Sequence, residues 1–190
     1  SFNGWSRLSP QRAARSRTDG ESLCTERMNW MELIPITEPD KQEICGWHYQ
    51  GLYQIYNLPS YAEMKVSSMG FASPEKEKNF YIWRENGHLI GYVNLLEKPD
   101  GIFIGIGIQP TLCGQHYGRR LLTEAVRLAQ ELYPGKTLYL EVRTWNQRAV
   151  RCYEHVGFVL DGAPYTQTTG AGTDKFYRMV FAGKGEAQCP

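Results

Sequence analysis

The organisation of this chain is clearest between residues 102 and 158, which read IFIGIGIQPTLCGQHYGRRLLTEAVRLAQELYPGKTLYLEVRTWNQRAVRCYEHVGF. Residues 102–108 alternate between isoleucines and other residues, which is the period of a strand. Residues 121–132 place apolar side chains at helical spacing. Residues 138–145 read as a second strand, and Asn146 opens a short helix. The segment therefore predicts two strand-to-helix units in succession.

The turn between the first strand and the first helix, residues 109–120, has the character of an anion site. The first N–H groups of a helix lack partners, and the helix dipole adds partial positive charge there. Phosphate groups bind at such helix starts. The second unit repeats this geometry and carries Tyr153. Together the two units predict a cleft that binds a cofactor and in which a reaction takes place.

The strand over residues 102–108 has one nearly bare face, because Gly105 and Gly107 alternate with the isoleucines. Bare positions in a strand often mark the close approach of a ligand or of another backbone. A bulge or tight packing explains the same pattern. The sequence leaves both interpretations open.

The rest of the chain predicts short elements of both kinds. They are a strand at 31–37, a helix from Pro39 capped by Thr37, a helical or looped aromatic segment at 47–56, a helix at 60–69, strands at 80–84 and 89–96, a loop at 162–173, and strands at 159–160 and 176–181. Asn86-Gly87 between two apolar runs is a strong hairpin signal. The mixture predicts an α/β (α+β) fold with a mixed sheet.

Composition excludes several classes of function. The net charge of +1 gives no electrostatic reason to expect nucleic acid or a membrane surface as a partner. No apolar run approaches the ~20 residues of a membrane helix. The five cysteines are odd in number and form no CxxC pair, and the four histidines are scattered, so we expect no metal site and no disulfide framework. Cysteines of this kind favour a reducing cytoplasm.

The ends of the chain differ from its middle. Residues 1–27 are polar, rich in Arg and Ser, and without apolar periodicity. We expect them to be a disordered N-terminal extension, and we expect residues 183–190 to be a tail. A length of 190 residues suits one domain, which these limits place at residues 28–182.

Two motifs resemble those of the GNAT superfamily of acetyl-CoA-dependent N-acetyltransferases, and the resemblance covers residues 31–181. The first is the strand, turn and helix around Gly114 and Gly118. The second matches the family pattern at each position of Asn146-x-x-Ala149-x-x-x-Tyr153-x-x-x-Gly157-Phe158. The first motif departs from the family at two positions. Cys113 replaces the usual Arg or Gln, and His116 replaces the middle glycine of the turn.

The resemblance implies a mixed, mostly antiparallel central sheet flanked by helices, with acetyl-CoA as cosubstrate and no metal. It implies these cofactor-binding residues: Ile106, Ile108, Cys113, Gly114, Gln115, His116, Tyr117, Gly118, Arg119, Asn146, Ala149 and Tyr153. The turn would hold the pyrophosphate through backbone N–H groups. Ile106 and Ile108 would contribute backbone groups only, and Ala149 would leave room for the cofactor. Arg119 and Arg120 either contact phosphate or form a solvated helix face.

The resemblance also implies direct attack of an amine on the thioester. Tyr153 occupies the position of the family's acid, and the alternative is an aromatic residue of the core. The backbone N–H near Ile108 would stabilise the oxyanion. For the base we name Glu141, with Glu97 as an alternative. An ion pair between Glu141 and Arg143 on the same strand face would compete with that role.

The acceptor is expected to lie against Trp47, Tyr49, Tyr53 and Tyr56, together with the loop at 162–173. The expected acceptor is a primary amine of a small molecule or of a peptide or protein N-terminus. Two alternatives stay open: a catalytically weak regulatory protein that binds coenzyme A, and an aminoglycoside-type antibiotic acetyltransferase. A homodimer is expected from the resemblance, with neither nucleic acid nor membrane as partner.

Overall fold

The computed structural model describes residues 31–183, which form one eight-stranded sheet. Its strands are β1 (Leu33–Pro35), β2 (Phe80–Glu85), β3 (His88–Lys98), β4 (Gly101–Ile108), β5 (Leu138–Arg143), β6 (Phe158–Leu160), β7 (Tyr165–Thr169) and β8 (Gly172–Phe181). The order is β1-β2-β3-β4-β5-β8-β6, with β7 also paired to β8. Only β4 and β5 run parallel among these pairs. The predicted mixed, mostly antiparallel sheet is thus confirmed.

Within residues 31–183, four α-helices accompany the sheet. They are α1 (Glu38–Cys45), α2 (Tyr61–Ser67), α3 (Tyr117–Leu132) and α4 (Gln147–Val156). The cap predicted at Thr37 is confirmed, because the Asp40 carboxylate accepts hydrogen bonds from the Thr37 amide at 2.8 Å and hydroxyl at 2.7 Å. The predicted extension at 1–27 and the tail beyond Gly183 lie outside the described residues.

The helices cover both faces of the sheet. On one face, here called the α3 face, Ile102 and Ile104 of β4 pack in one core with Leu121 and Ala125 of α3. On the other, the α1 face, a second core joins α1 and α2 to β2 and β3. Strand alternation assigns each side chain of β4 and β5 to one of these faces. Gly105 and Gly107 therefore belong to the α1 face.

The parallel strands β4 and β5 separate soon after they meet. They pair at Ile102 with Leu138 and at Phe103 with Tyr139, and no further pairing joins them. Beyond this point the sheet divides into two arms. The gap between the arms positions the candidate site.

The sequence predicted most elements, with one clear error. The β2–β3 hairpin is confirmed, and Asn86 and Gly87 both have positive φ, as a two-residue hairpin turn requires. The predicted loop at 162–173 is wrong, because Tyr165–Thr169 forms β7 and pairs with β8, which already begins at Gly172. This strand is polar and threonine-rich, so it lacks the apolar alternation that reveals a strand.

Candidate active site

The gap between β4 and β5 opens into a cavity of about 1180 Å³. Its walls are Phe103 to Ile108 of β4, Leu140 to Arg143 of β5, the turn before α3, one side of α4, the segment from Tyr53 to Pro59, and the β7–β8 turn. Both strand-to-helix units predicted from the sequence therefore face one cavity. The position between two separated strands exposes backbone as well as side chains.

The backbone of β4 faces two directions in alternation. The Gln109 amide donates to the Ile90 carbonyl at 2.9 Å, which turns the odd-numbered residues of β4 toward β3. The Ile102 amide donates to the Thr137 carbonyl at 2.7 Å, which turns the even-numbered residues toward β5. Where β5 has separated, the even-numbered backbone groups face the cavity.

Ile106 and Ile108 are the even-numbered residues along this open edge. The Ile108 carbonyl accepts a hydrogen bond from the Tyr49 hydroxyl at 2.7 Å. The Ile108 amide and both backbone groups of Ile106 face the gap that β5 has left. The two residues thus offer backbone hydrogen bonds to a ligand, while their side chains pack against the core of the α3 face.

The turn before α3 leaves a run of amides without backbone acceptors. The Cys113 amide donates to the Pro110 carbonyl at 3.3 Å, and the Arg120 amide donates to the His116 carbonyl at 3.4 Å. Within the described part of the chain, no backbone acceptor serves the amides of residues 114–119 between them. These N–H groups at the start of a helix suit an anion. The amide of Cys113 is already engaged, so its predicted contact with phosphate lacks this donor.

His116 keeps the turn in the shape that a glycine would give it. Its φ of 66° and ψ of 5° place it in the left-handed region. Histidine enters this region more readily than most residues, at a cost on the order of 1–2 kcal/mol. The departure from the family pattern therefore does not reshape the turn.

The side chains around the turn divide into two groups. Arg119 lines the cavity, whereas Arg120 stacks on Trp83 with its guanidinium 4.8 Å from the ring centroid. The Tyr117 ring also packs on Trp83, at 5.6 Å between centroids. The Gln115 side chain donates back to a carbonyl of the turn. Gln115 and Tyr117 can therefore serve an anion only through their backbone amides.

Asn146 is 8% exposed and makes two hydrogen bonds with its side chain. Its Oδ1 accepts from the Ala149 amide at 3.2 Å, which confirms the predicted helix cap. Its Nδ2 donates to the Tyr56 hydroxyl at 3.0 Å. A side-chain amide has two N–H groups, so one remains for a ligand. Asn146 and Ala149 both line the cavity.

Tyr153 is half-buried and lines the cavity. Burial raises the pKa of its phenol, the nearby Cys152 and Tyr56 add to this, and the charge of Arg148 acts the other way. The phenol is therefore protonated at neutral pH and able to donate. Its ring also packs on Phe158, at 6.5 Å between centroids. Both interpretations from the sequence therefore hold in part, because Tyr153 lines the cavity and its ring also packs in the core.

Among the described residues that line this cavity, Glu141 is the only carboxylate. It shares the α1 face with Arg143, but the nearest carboxylate to Arg143 Nε is Asp174, at 3.3 Å. Glu141 instead interacts with Tyr165, and burial followed by the charge of Glu141 raises the pKa of that phenol. Within the described residues, Arg143 therefore pairs with Asp174, and the Glu141–Arg143 pair that would compete with Glu141 as a base is not formed.

Glu97, the alternative base, is not among the described residues that line the cavity. Its partner in the β3–β4 register is Ile102, whereas Ile108 pairs with Gly91. Six residues of strand separate the two positions, or roughly 20 Å. The register therefore places Glu97 at a distance from Ile108, and we favour Glu141 as the base.

Aromatic side chains form the wall opposite the strands. Tyr53 and Tyr56 stack with centroids 6.4 Å apart, and Trp145 lies 5.9 Å from Tyr53. The Arg148 guanidinium stands 4.3 Å from the centre of the Tyr53 ring. Tyr49 belongs to this wall too, but Trp47, which the sequence grouped with it, is buried in the core of the α1 face.

The charged groups around the cavity are mainly positive. Between residues 31 and 183, four arginines line it, namely Arg119, Arg143, Arg148 and Arg151. In the described part of the lining, Glu141 supplies the one carboxylate that balances them. A cavity with this balance attracts anions more strongly than cations.

Comparison with known proteins identifies the fold and the family. The Acetyltransferase (GNAT) family model matches residues 41–158, which is more than half of the chain. The chain belongs to the GNAT family. Its GNAT segment contains β2 to β5, α3, α4 and hence both predicted motifs.

One curated relative is the N-alpha-acetyltransferase RimI of Mycobacterium tuberculosis, 34% identical over 111 residues. The match covers 55% of this GNAT chain and 66% of RimI, slightly less than two thirds of that protein. Two solved structures share the fold. A chimera of spermidine N-acetyltransferase SpeG from Vibrio cholerae and hSSAT has a TM-score of 0.64 at 21% identity, covering 80% of this chain and 94% of its own. A complex of AAC(6')-Ib with ribostamycin and coenzyme A has a TM-score of 0.61 at 21% identity, covering 80% and 92%.

The two GNAT motifs located the turn before α3 and helix α4, but several other residues at or near the cavity were not singled out. Arg148 stands inside the second motif and was not singled out, although its position two residues after Asn146 could have indicated it. Tyr165 lies in the segment at 162–173 that was predicted as a loop near the acceptor, but it was not singled out. The Asp174 partner of Arg143 lies on β8, and no sequence signal joins the two.

Two searches concern the described residues alone. No helix between residues 31 and 183 has both the length and the apolar character needed to cross a membrane. In the same range, no group of three or more His, Cys, Asp or Glu side chains is placed to hold a metal ion.

Proposed function

We propose that this GNAT protein is an N-acetyltransferase that moves an acetyl group from acetyl-CoA to a primary amine. The observation that carries the proposal is the open backbone edge of Ile106 and Ile108, which lies in the same cavity as the unpaired amides of residues 114–119. Acetyl-CoA has an arm with amide groups and a pyrophosphate. A protein that binds acetyl-CoA therefore needs a strand edge for the amide arm and an anion site for the pyrophosphate.

The residues present fit this cosubstrate. The amides of residues 114–119 and the side chain of Arg119 would hold the pyrophosphate. The backbone of Ile106 and Ile108 would pair with the amide arm, as a strand pairs with a sheet edge. The remaining N–H of Asn146 would contact the same arm, and Ala149 would leave room for it.

Acetyl-CoA supplies the activated acetyl group, and three residues of this chain would serve the transfer. The Glu141 carboxylate would take a proton from the acceptor ammonium, directly or through water. The Ile108 amide would donate to the acyl oxygen as negative charge develops there. The Tyr153 phenol would give its proton to the sulfur as the C–S bond breaks, and the second proton that the nitrogen loses as the amide forms would restore the phenol, directly or through water. A phenol with a raised pKa stays protonated for this step, and a thiolate in the same apolar surroundings is also more basic.

For the acceptor we favour a peptide or protein N-terminus. Four arginines and one carboxylate line the cavity, so a polycationic amine such as an aminoglycoside finds little complementary charge. A peptide N-terminus carries one positive charge, for which Glu141 suffices. The identity with RimI points the same way. A small amine of low charge stays within the proposal.

A regulatory protein that binds coenzyme A without turnover is the second candidate. The observation that favours it is the turn at Cys113 and His116, which departs from the family pattern and leaves one amide engaged. Such a protein would bind acetyl-CoA and transfer nothing. Only the enzyme hypothesis predicts that Tyr153→Phe loses a function.

The first test is thermal melting with and without acetyl-CoA, with ATP and NAD as controls. A ligand at ~100 times its dissociation constant adds ~2.7 kcal/mol to the free energy of unfolding. We expect a clear upward shift of Tm with acetyl-CoA and none with the controls. Equal shifts with ATP would indicate a general nucleotide site instead.

Two further proposals follow from sequence and resemblance. The described cysteines Cys45, Cys113 and Cys152 are free thiols, which accords with a reducing cytoplasm. We also propose a homodimer. Sedimentation velocity at two concentrations tests the dimer, and a single monomeric species at both would overturn it.

A further inference from the structure

A second, smaller cavity of about 220 Å³ lies on the α1 face of the sheet, beside α2. It shares part of its lining with the candidate active site. The residues that line both cavities are Leu58, Met69, Tyr92, Gly105 and Ile106. We call this second cavity the side chamber.

The side chamber is apolar. Besides the shared residues, its walls include Met64, Phe71 and Phe80. Methionine side chains adapt to occupants of different shapes, and aromatic rings supply area for apolar contact. A charged group placed here would lose its hydration without gaining a partner. The lining therefore selects an apolar occupant.

One polar group interrupts this surface. Asn94 lines the side chamber, and its buried Oδ1 has no hydrogen-bond partner within the described residues. Two other buried atoms in residues 31–183 share that state, Arg143 Nε and Arg178 Nε, but carboxylates lie 3.3 and 3.1 Å from them. A buried acceptor without a donor is costly, which makes Asn94 Oδ1 a site for an N–H of a ligand.

The side chamber opens beside the reacting edge of β4. Asn94 is the register partner of Gly105, and the next residue is Ile106, whose backbone faces the main cavity. Consecutive Cα atoms are ~3.8 Å apart, so the two features belong to one neighbourhood. A Cβ on Gly105 would meet its nearest atoms at 3.5 and 3.6 Å, which are ordinary contacts, whereas a Cβ on Gly107 would clash with the Tyr92 ring.

We propose that the side chamber receives a bulky apolar side chain on the first residue of a peptide acceptor, such as methionine, leucine or phenylalanine, while Asn94 Oδ1 accepts from an N–H of that peptide. This inference rests on the proposed N-acetyltransferase function and specifies its acceptor. The side chamber discriminates by volume and polarity. Acceptors that begin with a small or acidic residue leave it empty or place a charge in it.

The experiment compares peptides that are identical except for the first residue, which is Met, Leu, Phe, Ala or Asp. The kcat/KM for each is measured at saturating acetyl-CoA in the full chain. We expect the large apolar residues to exceed Ala by roughly 10-fold or more, and Asp to be poorest. Propionyl-CoA and butyryl-CoA are tested beside acetyl-CoA.

Two variants connect that preference to the side chamber. Met69→Trp adds bulk at its mouth, and the control Val66→Trp adds the same bulk at a residue that is 90% exposed and outside its lining. We expect Met69→Trp to lower the ratio of the Met to the Ala peptide, and Val66→Trp to keep it. Gly105→Ala, whose new methyl group meets only ordinary contacts, should lower the ratio by less. Thermal melting shows whether each variant folds.

Each contrary result has its own meaning. Equal rates for all first residues would overturn the inference and leave the acetyltransferase intact. A ratio that falls equally in Val66→Trp would also overturn it. A preference for longer acyl groups that Met69→Trp abolishes would assign the side chamber to the donor instead. Acetyl-CoA binding without acetylation of any peptide would overturn the proposed acceptor class and this inference together.

Discussion

Asn146 donates a hydrogen bond from Nδ2 to the hydroxyl of Tyr56 over 3.0 Å, across 90 residues of chain. This contact ties the start of α4, which carries the second GNAT motif, to the aromatic wall of the cavity. The same side chain caps α4 through its Oδ1. One carboxamide thus positions a helix, an aromatic residue and a candidate ligand contact.

Substitution of Asn146 separates these roles. We expect Asn146→Ala to lower the free energy of unfolding by about 1 kcal/mol through loss of the cap and to raise the KM for acetyl-CoA. Asn146→Asp keeps a capping oxygen but loses the N–H donor, so stability should be largely kept while KM still rises. Urea unfolding and steady-state kinetics measure the two effects. A KM that is unchanged in both variants would leave Asn146 as a cap alone.

Tyr153→Phe tests the proposed acid. We expect kcat to fall about 100-fold or more, with little change in acetyl-CoA binding, because the ring stays and only the hydroxyl is lost. The raised pKa of Tyr153 also predicts that ionisation of this group does not lower the wild-type kcat between ~pH 7 and ~pH 9. Tyr133→Phe, outside the cavity lining, is the control. Equal activity of Tyr153→Phe and Tyr133→Phe would rule out the role.

Matched substitutions at Glu141 and Glu97 test which residue is the base. Glu141→Gln keeps the shape of the side chain but removes the proton acceptor, and we expect kcat/KM to fall about 100-fold. Glu97→Gln should have no such effect, because the register places that residue opposite Ile102. Initial rates with one peptide acceptor decide the question. Loss of activity in Glu97→Gln with a normal Glu141→Gln would contradict the assignment.

At the turn before α3, we predict stability changes of opposite sign for alanine substitutions at two glycines. Gly114 has a φ of +80°, so Gly114→Ala should cost about 1 kcal/mol of stability through backbone strain and should weaken acetyl-CoA binding. Gly118 lies in α3, and a Cβ there would stand an ordinary 3.6 Å from Cys152 Sγ. Gly118→Ala should keep or raise stability by up to about 1 kcal/mol. Chemical denaturation of both variants checks the difference in sign.

Acid stability should depend on Asp40, which is 2% exposed and lies 2.6 Å from Arg84. Burial pushes its pKa up, but hydrogen bonds from Thr37 and Arg84 outweigh burial and hold it below the ordinary value. A lowered pKa stabilises the fold above the unfolded value of ~3.9, and this contribution is lost as pH falls through the folded value. Asp40→Asn should therefore be about 1–3 kcal/mol less stable at neutral pH.

That difference should shrink as the pH falls toward ~3, since the wild-type carboxyl then takes up a proton as well. Unfolding curves across this range measure it. Asp161→Asn serves as the control, because its carboxylate is exposed and its ion pair with Arg178 is worth little. A constant difference at every pH would show that the charge of Asp40 is not the cause.

The sequence was informative where a signal is local. Asn86-Gly87 specifies a hairpin because both residues accept positive φ. Thr37 and Asn146 precede their helices and cap them through neighbours three residues away. The glycine turn at the start of α3 follows the same rule, since it depends on residues adjacent in the chain.

The rest depends on contacts between distant segments, which no local period encodes. The separation of β4 from β5 follows from strand pairing and has no signature in residues 102–108. The Arg143–Asp174 pair and the Tyr165–Glu141 contact join strands whose register the sequence does not give. Hence the turn before α3 and the start of α4 were predictable, whereas the contacts of Arg143 and Tyr165 were not.

The most direct test of the N-acetyltransferase assignment is mass spectrometry of a peptide with a free N-terminal amine after incubation with the full chain and acetyl-CoA, beside the same peptide with a blocked N-terminus. We predict one acetyl group on the free amine, one thiol released per acetyl group, and no reaction of the blocked peptide. Binding of acetyl-CoA without acetylation of this or any other amine would contradict the assignment and favour a protein that only binds coenzyme A.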